Sequence, residues 1–305
     1  MPADFLSLAD LSTADILALL DLADRLKAQR QAGALPPLLA GRNIALLFEG
    51  RGFRTRATFA IGIHQLGGFG VDLPVDLYGR EPIADIAGYL DNWVDALVVR
   101  TARHEAVVEL ARCAAAPVVN AMTDREHPCE VLADAQTLRE RLGEFAGQKI
   151  VFVGGLTNVC RSWFHLAARL PIQFVFICPE DEAIDAATLA FVERAAPGTI
   201  AVTHDVQAGV HDAAAICTDA WPRASDDAER ARRFAPYQVT PELLALARPD
   251  AVLLPCPPVT RGKEVAADAL ASAAFAGYAG KENLLYTQQA ILVTLLSGGA
   301  RIEYQ

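Results

Sequence analysis

The 305-residue sequence has no stretch of about 18 consecutive apolar residues, so a membrane-spanning helix is not expected. It has no low-complexity tract and no excess of basic residues: 27 Lys and Arg stand against 37 Asp and Glu, a formal charge of −10. A nucleic-acid surface needs a basic face, so no nucleic-acid partner is expected. The six cysteines, Cys113, Cys129, Cys160, Cys178, Cys217 and Cys256, show no CxxC spacing. That scatter fits reduced thiols in a cytoplasm and gives no sign of a metal centre. The opening MPADFLSLADLS lacks the basic and apolar segments of a signal peptide, which sets the expectation of a cytoplasmic protein.

Hydrophobic residues make up 52% of the chain, and its length exceeds what one core usually serves, so two domains are expected. Short β-branched runs alternate with amphipathic stretches of helical length, the pattern of βαβ units and parallel sheets. The runs in the first half are Asn43 to Phe48, Phe69 to Leu73, Asp95 to Arg100 and Pro117 to Asn120. In the second half they are Lys149 to Val153, Gln173 to Cys178, Thr199 to Thr203, Ala213 to Thr218 and Ala251 to Leu254. The fold class is therefore α/β, with two Rossmann-like domains, each a parallel sheet flanked by helices, and helices joining them. We assign 1–142 plus 283–305 to one domain and 143–282 to the other.

Ser12 with Asp15 three residues on forms a capping-box pattern ahead of Ile16, Leu19, Leu20 and Leu22. Pro128 to Leu142 reads as a helix with proline in its first turn and Gly143 after its end. Asn283 to Leu296 reads as the last helix, closed by Gly298 and Gly299.

In open parallel sheets, ligands bind beyond the carboxyl ends of the strands. After the first run comes a glycine-containing loop, Glu49 to Phe53, leading into Arg54, Thr55 and Arg56 at a helix start. Outward amides and planar guanidinium donors suit a phosphate there. Arg100, His127, Asn158, Asp219 and Cys256 also fall at strand ends or helix starts. Each has a plain alternative as a cap, a turn or a small buried side chain. Their coincidence points to a site between the domains.

FEGRGFRTRATFAIGIHQLGG resembles the carbamoyl-phosphate motif of the aspartate/ornithine carbamoyltransferase family, Phe-Glu-x-x-Ser-Thr-Arg-Thr-Arg before a helix ending in Gly-Gly. The segment DALVVRTARHEAVVELARCAAAPVVNAMTDREHPCEVLADAQTLRE is similar to the family's strand-ending arginine, Pro-Val-x-Asn stretch and His-Pro helix start. VGGLTNVCRSW, TDAW and PCPPVTRGKEV stand where the family has Gly-Asp-x-x-Asn-Val, Thr-Asp-x-Trp and His-Cys-Leu-Pro-x-x-Arg-Gly, nearest the ornithine branch.

The resemblance implies direct carbamoyl transfer from carbamoyl phosphate to an ornithine-like amino-acid amine, with no cofactor. It also implies a homotrimer and a place in arginine biosynthesis. Carried over, Arg54, Thr55 and Arg56 would hold phosphate, while Arg100 and His127, with Thr55, would polarise the carbamoyl oxygen. Glu130 would face the carbamoyl amide. Asn158 and Asp219 would bind the acceptor, with Cys256 near its reacting amine and Arg261 among the substrate-binding residues. Arg223, in Pro222-Arg223-Ala224 where the ornithine branch has a Ser-Met pair, is expected to pair with an acceptor carboxylate.

Several positions depart from the motif: Gly52 and Phe53 replace Ser and Thr, and Glu130 replaces Gln. Pro255 and Pro257 replace His and Leu, Leu284 replaces Arg, and Pro82 and Ala84 stand where Ser and Lys are frequent. Three readings remain open at this point: an ornithine-type enzyme, a member with a changed donor or acceptor, and a paralogue that binds or regulates without catalysis.

Overall fold

The computed structural model describes residues 1–50, 52–194, 199–221 and 227–297. The chain forms two compact units, residues 1–136 with 281–305 and residues 137–280. The sequence reading placed the joins at 142/143 and 282/283.

In the first unit, helix α1 (Thr13–Gln31) opens on Ser12, whose side chain accepts from the Asp15 amide while the Asp15 carboxylate accepts from the Ser12 amide. Both halves of the capping box are thus present, and Ile16, Leu19, Leu20, Leu22 and Leu26 are buried. Strands β1 (Asn43–Phe48), β2 (Phe69–Asp72), β3 (Ala96–Arg100) and β4 (Val118–Met122) alternate with helices α2 (Phe53–Gln65), α3 (Ile83–Leu90) and α4 (His104–Cys113). They make a wholly parallel sheet in the order β2-β1-β3-β4. Ala45, Leu47, Leu97 and Val99 face a core with Ile83, Ile86, Leu90, Val107 and Leu110. Ile44, Leu46 and Val98, at the alternate positions, are also buried, so both sheet faces are covered. The chain steps from β1 to β2 on one side and returns to β3 on the other. The crevice beyond the ends of β1 and β3 is therefore a topological switch point.

Helix α5 (Pro128–Leu142) begins where expected, and Gly143 after it takes φ +78°, the left-handed conformation glycine adopts without strain. The chain passes from the first unit to the second within this helix.

The second unit contains β5 (Lys149–Val153), α6 (Asn158–Ala167), β6 (Gln173–Ile177), α7 (Ala186–Arg194), β7 (Thr199–Thr203), α8 (Val206–Val210) and β8 (Ala215–Thr218). After them come α9 (Ala228–Arg233), α10 (Pro241–Leu244), β9 (Val252–Pro255) and α11 (Ala267–Leu270). The sheet is again parallel, in the order β7-β6-β5-β8-β9, with its switch point between β5 and β8. Val151, Val153, Ile216 and Leu253 pack with Phe234, Leu243, Val265 and Leu270. Trp163 stacks on Phe174, and Phe164 meets Phe174 and Phe176 edge-on.

The last helix, α12, runs Gly277–Leu296 and so starts six residues before the expected Asn283. Gly277 and Gly280 disfavour helix by propensity, and tertiary context overrides them. Gly298 and Gly299, expected to close it, lie outside the described residues.

Candidate functional site

The chemistry-bearing residues fall into two groups, one in each unit. In the first unit they gather beyond β1 and β3. Helix α2 starts after its N-cap Gly52, which supplies no side-chain cap, and puts Arg54, Thr55 and Arg56 in its first turn. Arg100 ends β3, and its Nη1 lies 3.4 Å from the Thr55 hydroxyl oxygen, to which it donates. A β-carbon built on Gly52 would sit 2.4 Å from Arg100 Nε and 2.5 Å from its Cζ. The glycine therefore gives the Arg100 side chain the space that any larger residue would take. Arg54 lies with its guanidinium 4.7 Å from the centre of the exposed Phe53 ring. Arg56 turns to Asp72 at the end of β2, with which it forms an ion pair, both side chains half-exposed.

His127 and Glu130 are buried, at 6% and 3% exposure, on either side of the first turn of α5. Burial, reinforced by the Lys281 and Arg100 cations, holds the His127 imidazole well below its usual titration range. It is neutral at neutral pH and has one ring N–H to donate. His127 Nε2 and Glu130 Oε2 stand 4.0 Å apart. The other Glu130 oxygen is in contact with Lys281 Nζ. Burial and the Arg54 guanidinium lower the Lys281 pKa from its ordinary range, while the Glu130 carboxylate in contact with its Nζ favours the charged ammonium. Glu49 after β1 accepts from the Thr101 hydroxyl at 2.6 Å, tying together the loops that follow β1 and β3.

In the second unit the residues gather beyond β5 and β8. The turn after β5 uses Gly154 at φ +140°, where a β-carbon would lie 3.7 Å from the Thr218 hydroxyl and from Trp221 Nε1. Thr157, rather than Asn158, is the N-cap of α6, and its oxygen accepts from the Cys160 amide. Asn158 is the first helical residue, and its side-chain oxygen accepts from the Val159 amide.

Asp219 follows β8 and accepts from the Ala220 amide at 2.7 Å, from the Thr157 hydroxyl and from the Cys256 thiol. Burial raises its pKa above the ordinary carboxylate value despite these donors. Cys256 follows β9 and is 8% exposed, and its amide donates to the Thr218 carbonyl. Trp221 Nε1 is buried without a hydrogen-bond partner among the described residues.

Arg261 is exposed and enters a bridge with Val265 around the Gly262 turn. Beside it, the buried Glu264 accepts from the amides of Trp221 and Thr260 and holds that loop in place. Arg223 lies outside the described residues.

The structure thus brings Arg54, Thr55 and Arg100 together, and places His127 and Glu130 beside each other. It joins Asp219 to Cys256 through hydrogen bonding, whereas Arg56 is turned to Asp72 and Arg261 to solvent. Sequence reasoning missed Thr157, Glu264 and Lys281. Thr157 carried a cap signal, Thr ahead of a helical pattern. Lys281 was hidden because the helix was taken to begin after it. Among the described residues, no cluster of three or more His, Cys, Asp or Glu is placed to hold a metal ion.

Residues 3–140 match the family model described as "Aspartate/ornithine carbamoyltransferase, carbamoyl-P binding domain", and residues 146–295 match "Aspartate/ornithine carbamoyltransferase, Asp/Orn binding domain". Among similar proteins, the ornithine carbamoyltransferase of Methanocorpusculum labreanum is 36% identical, covering 98% of this chain and 100% of that protein. That of Carboxydothermus hydrogenoformans is 38% identical, covering 96% and 97%. Among solved structures, ornithine carbamoyltransferase from Pyrococcus furiosus superposes with a TM-score of 0.93 at 34% identity, covering 98% of each chain. The Thermus thermophilus ornithine carbamoyltransferase gives 0.88 at 36% identity, covering 97% and 99%.

Proposed function

Because the chain belongs to the aspartate/ornithine carbamoyltransferase family, we propose that it transfers the carbamoyl group of carbamoyl phosphate to the amine of ornithine or an ornithine-like amino acid. The observation that carries this reading is the cluster at the switch point of the first unit. Arg54 and Thr55 stand at the α2 N-terminus, Arg100 donates to Thr55, and a neutral His127 lies nearby.

The amine lone pair attacks the carbamoyl carbon, the C=O electrons move onto oxygen, and the C–O bond to phosphate then breaks. Phosphate leaves with that bonding pair and takes up the proton lost by the amine nitrogen. Arg54 and the α2 amides hold the phosphate oxygens, and Arg56 joins them where it is released from Asp72. Arg100, Thr55 and His127 donate to the oxygen as its charge develops. Losing one such donor removes about 2.7 to 4 kcal/mol of transition-state stabilisation.

In the second unit, Asp219 binds the cationic amino group of the acceptor, and Asn158, with Arg223, takes its carboxylate, joined by Arg261 where its side chain turns in from solvent. Cys256, hydrogen-bonded to Asp219, lies near the reacting amine. Glu130 accepts from the carbamoyl NH₂. The wider reading, a cytoplasmic homotrimer acting in arginine biosynthesis, rests on the family resemblance of the sequence motifs alone; among the described residues no helix is long and apolar enough to cross a membrane.

The test is citrulline formation from carbamoyl phosphate and ornithine, with thermal unfolding in the presence of carbamoyl phosphate. Turnover together with ligand stabilisation is expected. Arg54→Ala should lower carbamoyl phosphate affinity by at least about tenfold, or about 1.4 kcal/mol. Absence of both citrulline and stabilisation by carbamoyl phosphate would overturn the reading, and stabilisation without citrulline would exclude ornithine as the acceptor.

A further inference from the structure

Lys281 is 18% exposed and contacts the buried Glu130, and it lies close enough to Arg54 to feel its charge and close enough to His127 to bear on it. Glu130 is thus a buried carboxylate between Lys281 and a neutral imidazole, and those two groups in turn lie near Arg54 and Arg100. A bare carboxylate at this depth would repel an incoming dianion and would itself be costly to desolvate. The contact with Lys281 cancels its charge and occupies one oxygen, while Oε2 remains on the His127 side. The 4.0 Å between Oε2 and His127 Nε2 is too long for a hydrogen bond. It suits two atoms standing side by side toward one planar group, an acceptor facing an NH₂ and a donor facing the neighbouring carbonyl oxygen.

Building on the reading that this unit binds carbamoyl phosphate, we propose that Lys281 is a positioning residue of the donor site, neutralising Glu130 and orienting its Oε2 so that the site selects a phosphate donor carrying an NH₂ group. Lys281 acts through Glu130. Leu284, one turn further along α12, is fully buried and brings no charge. An acetyl donor of the same shape puts a methyl group where Oε2 expects hydrogen-bond donors, leaving a buried acceptor unpaired, so it is rejected.

The test compares the native protein with Lys281→Met, Glu130→Gln and the double variant Glu130→Gln/Lys281→Met. Calorimetry reads the affinities for carbamoyl phosphate, acetyl phosphate and inorganic phosphate, and a citrulline assay runs alongside. Lys281→Met should weaken carbamoyl phosphate and inorganic phosphate by at least about tenfold, since an uncompensated carboxylate is left beside the anion. The double variant should return inorganic phosphate affinity to within about threefold of the native protein. A general loss of structure would not give that rescue. The native protein should prefer carbamoyl over acetyl phosphate by at least about tenfold, and Glu130→Gln should narrow the preference.

The proposal is overturned if Lys281→Met binds like the native protein, if the double variant is no better than Lys281→Met, or if the native protein binds neither phosphate. Should Lys281→Met fail to fold, the comparison of Glu130→Gln with the double variant decides. A loss above about threefold between those two would sink the idea. Native protein that shows this binding pattern yet makes no citrulline would leave the Lys281 assignment standing and exclude ornithine as the acceptor. Citrulline formation without the pattern would do the reverse.

Discussion

At the scale of single residues, the start of α2 has lost two of the motif's hydroxyl donors, at Gly52 and Phe53, and keeps the Thr55 hydroxyl beside Arg100. Gly52 carries no hydroxyl, and the space it leaves is filled by Arg100. Gly52→Ser would place a β-carbon within 2.4 Å of the Arg100 guanidinium, a flexible side-chain end that moves aside. The expected outcome is a stability change below about 1 kcal/mol in urea unfolding. Carbamoyl phosphate affinity should fall at least about tenfold because Arg100 is displaced.

His127 sets a second expectation. Its folded pKa lies below the unfolded value of about 6.5, so the unfolded chain binds more protons between the two values. The stability associated with its neutral burial is fully present above about pH 6.5 and is lost as pH falls toward the folded pKa, with a slope of at most about 1.4 kcal/mol per pH unit. Denaturation midpoints of the native protein and His127→Gln across this window check it. The steeper acid loss should belong to the native protein.

At the scale of elements, helix ends and strand ends carry most of the information that positions the site. The Ser12/Asp15 box anchors α1. Ser12→Ala should cost about 1 kcal/mol in denaturant unfolding, because an N-terminal amide loses its acceptor. Citrulline formation should be unchanged, since Ser12 is remote in role from the anion cluster. Strands β3 and β8 end at the residues that precede or carry the polar groups, Arg100 and Asp219. The order of strands in each sheet puts those ends at switch points, where the chain diverges and leaves a crevice.

At the scale of the whole molecule, each unit has its own parallel sheet and its own core, and the chain passes between units within α5 and again within α12. The proposed homotrimer predicts a solution mass three times that of the chain, measured by light scattering on a gel-filtration column. A mass equal to that of the chain at micromolar concentration would contradict it.

Much of this architecture is written locally in the sequence. Strand periodicity, the capping box and the turn glycine Gly143 depend on neighbours in the chain, so they mark elements before any fold is known. The same local signals put Arg54 at a helix start, Arg100 at a strand end and His127 ahead of α5. The start of α12 was not legible, since Gly277 and Gly280 oppose helix and only packing overrides them. Lys281 against Glu130, Arg100 in the space above Gly52, and Thr157 and Cys256 on Asp219 are contacts between segments far apart in the chain. Sequence alone determined the two α/β units and the residue types gathered at their strand ends. Tertiary structure decided which charge neutralises which, because Coulombic attraction and steric room depend on distance in space, and the order of strands in each sheet sets that distance.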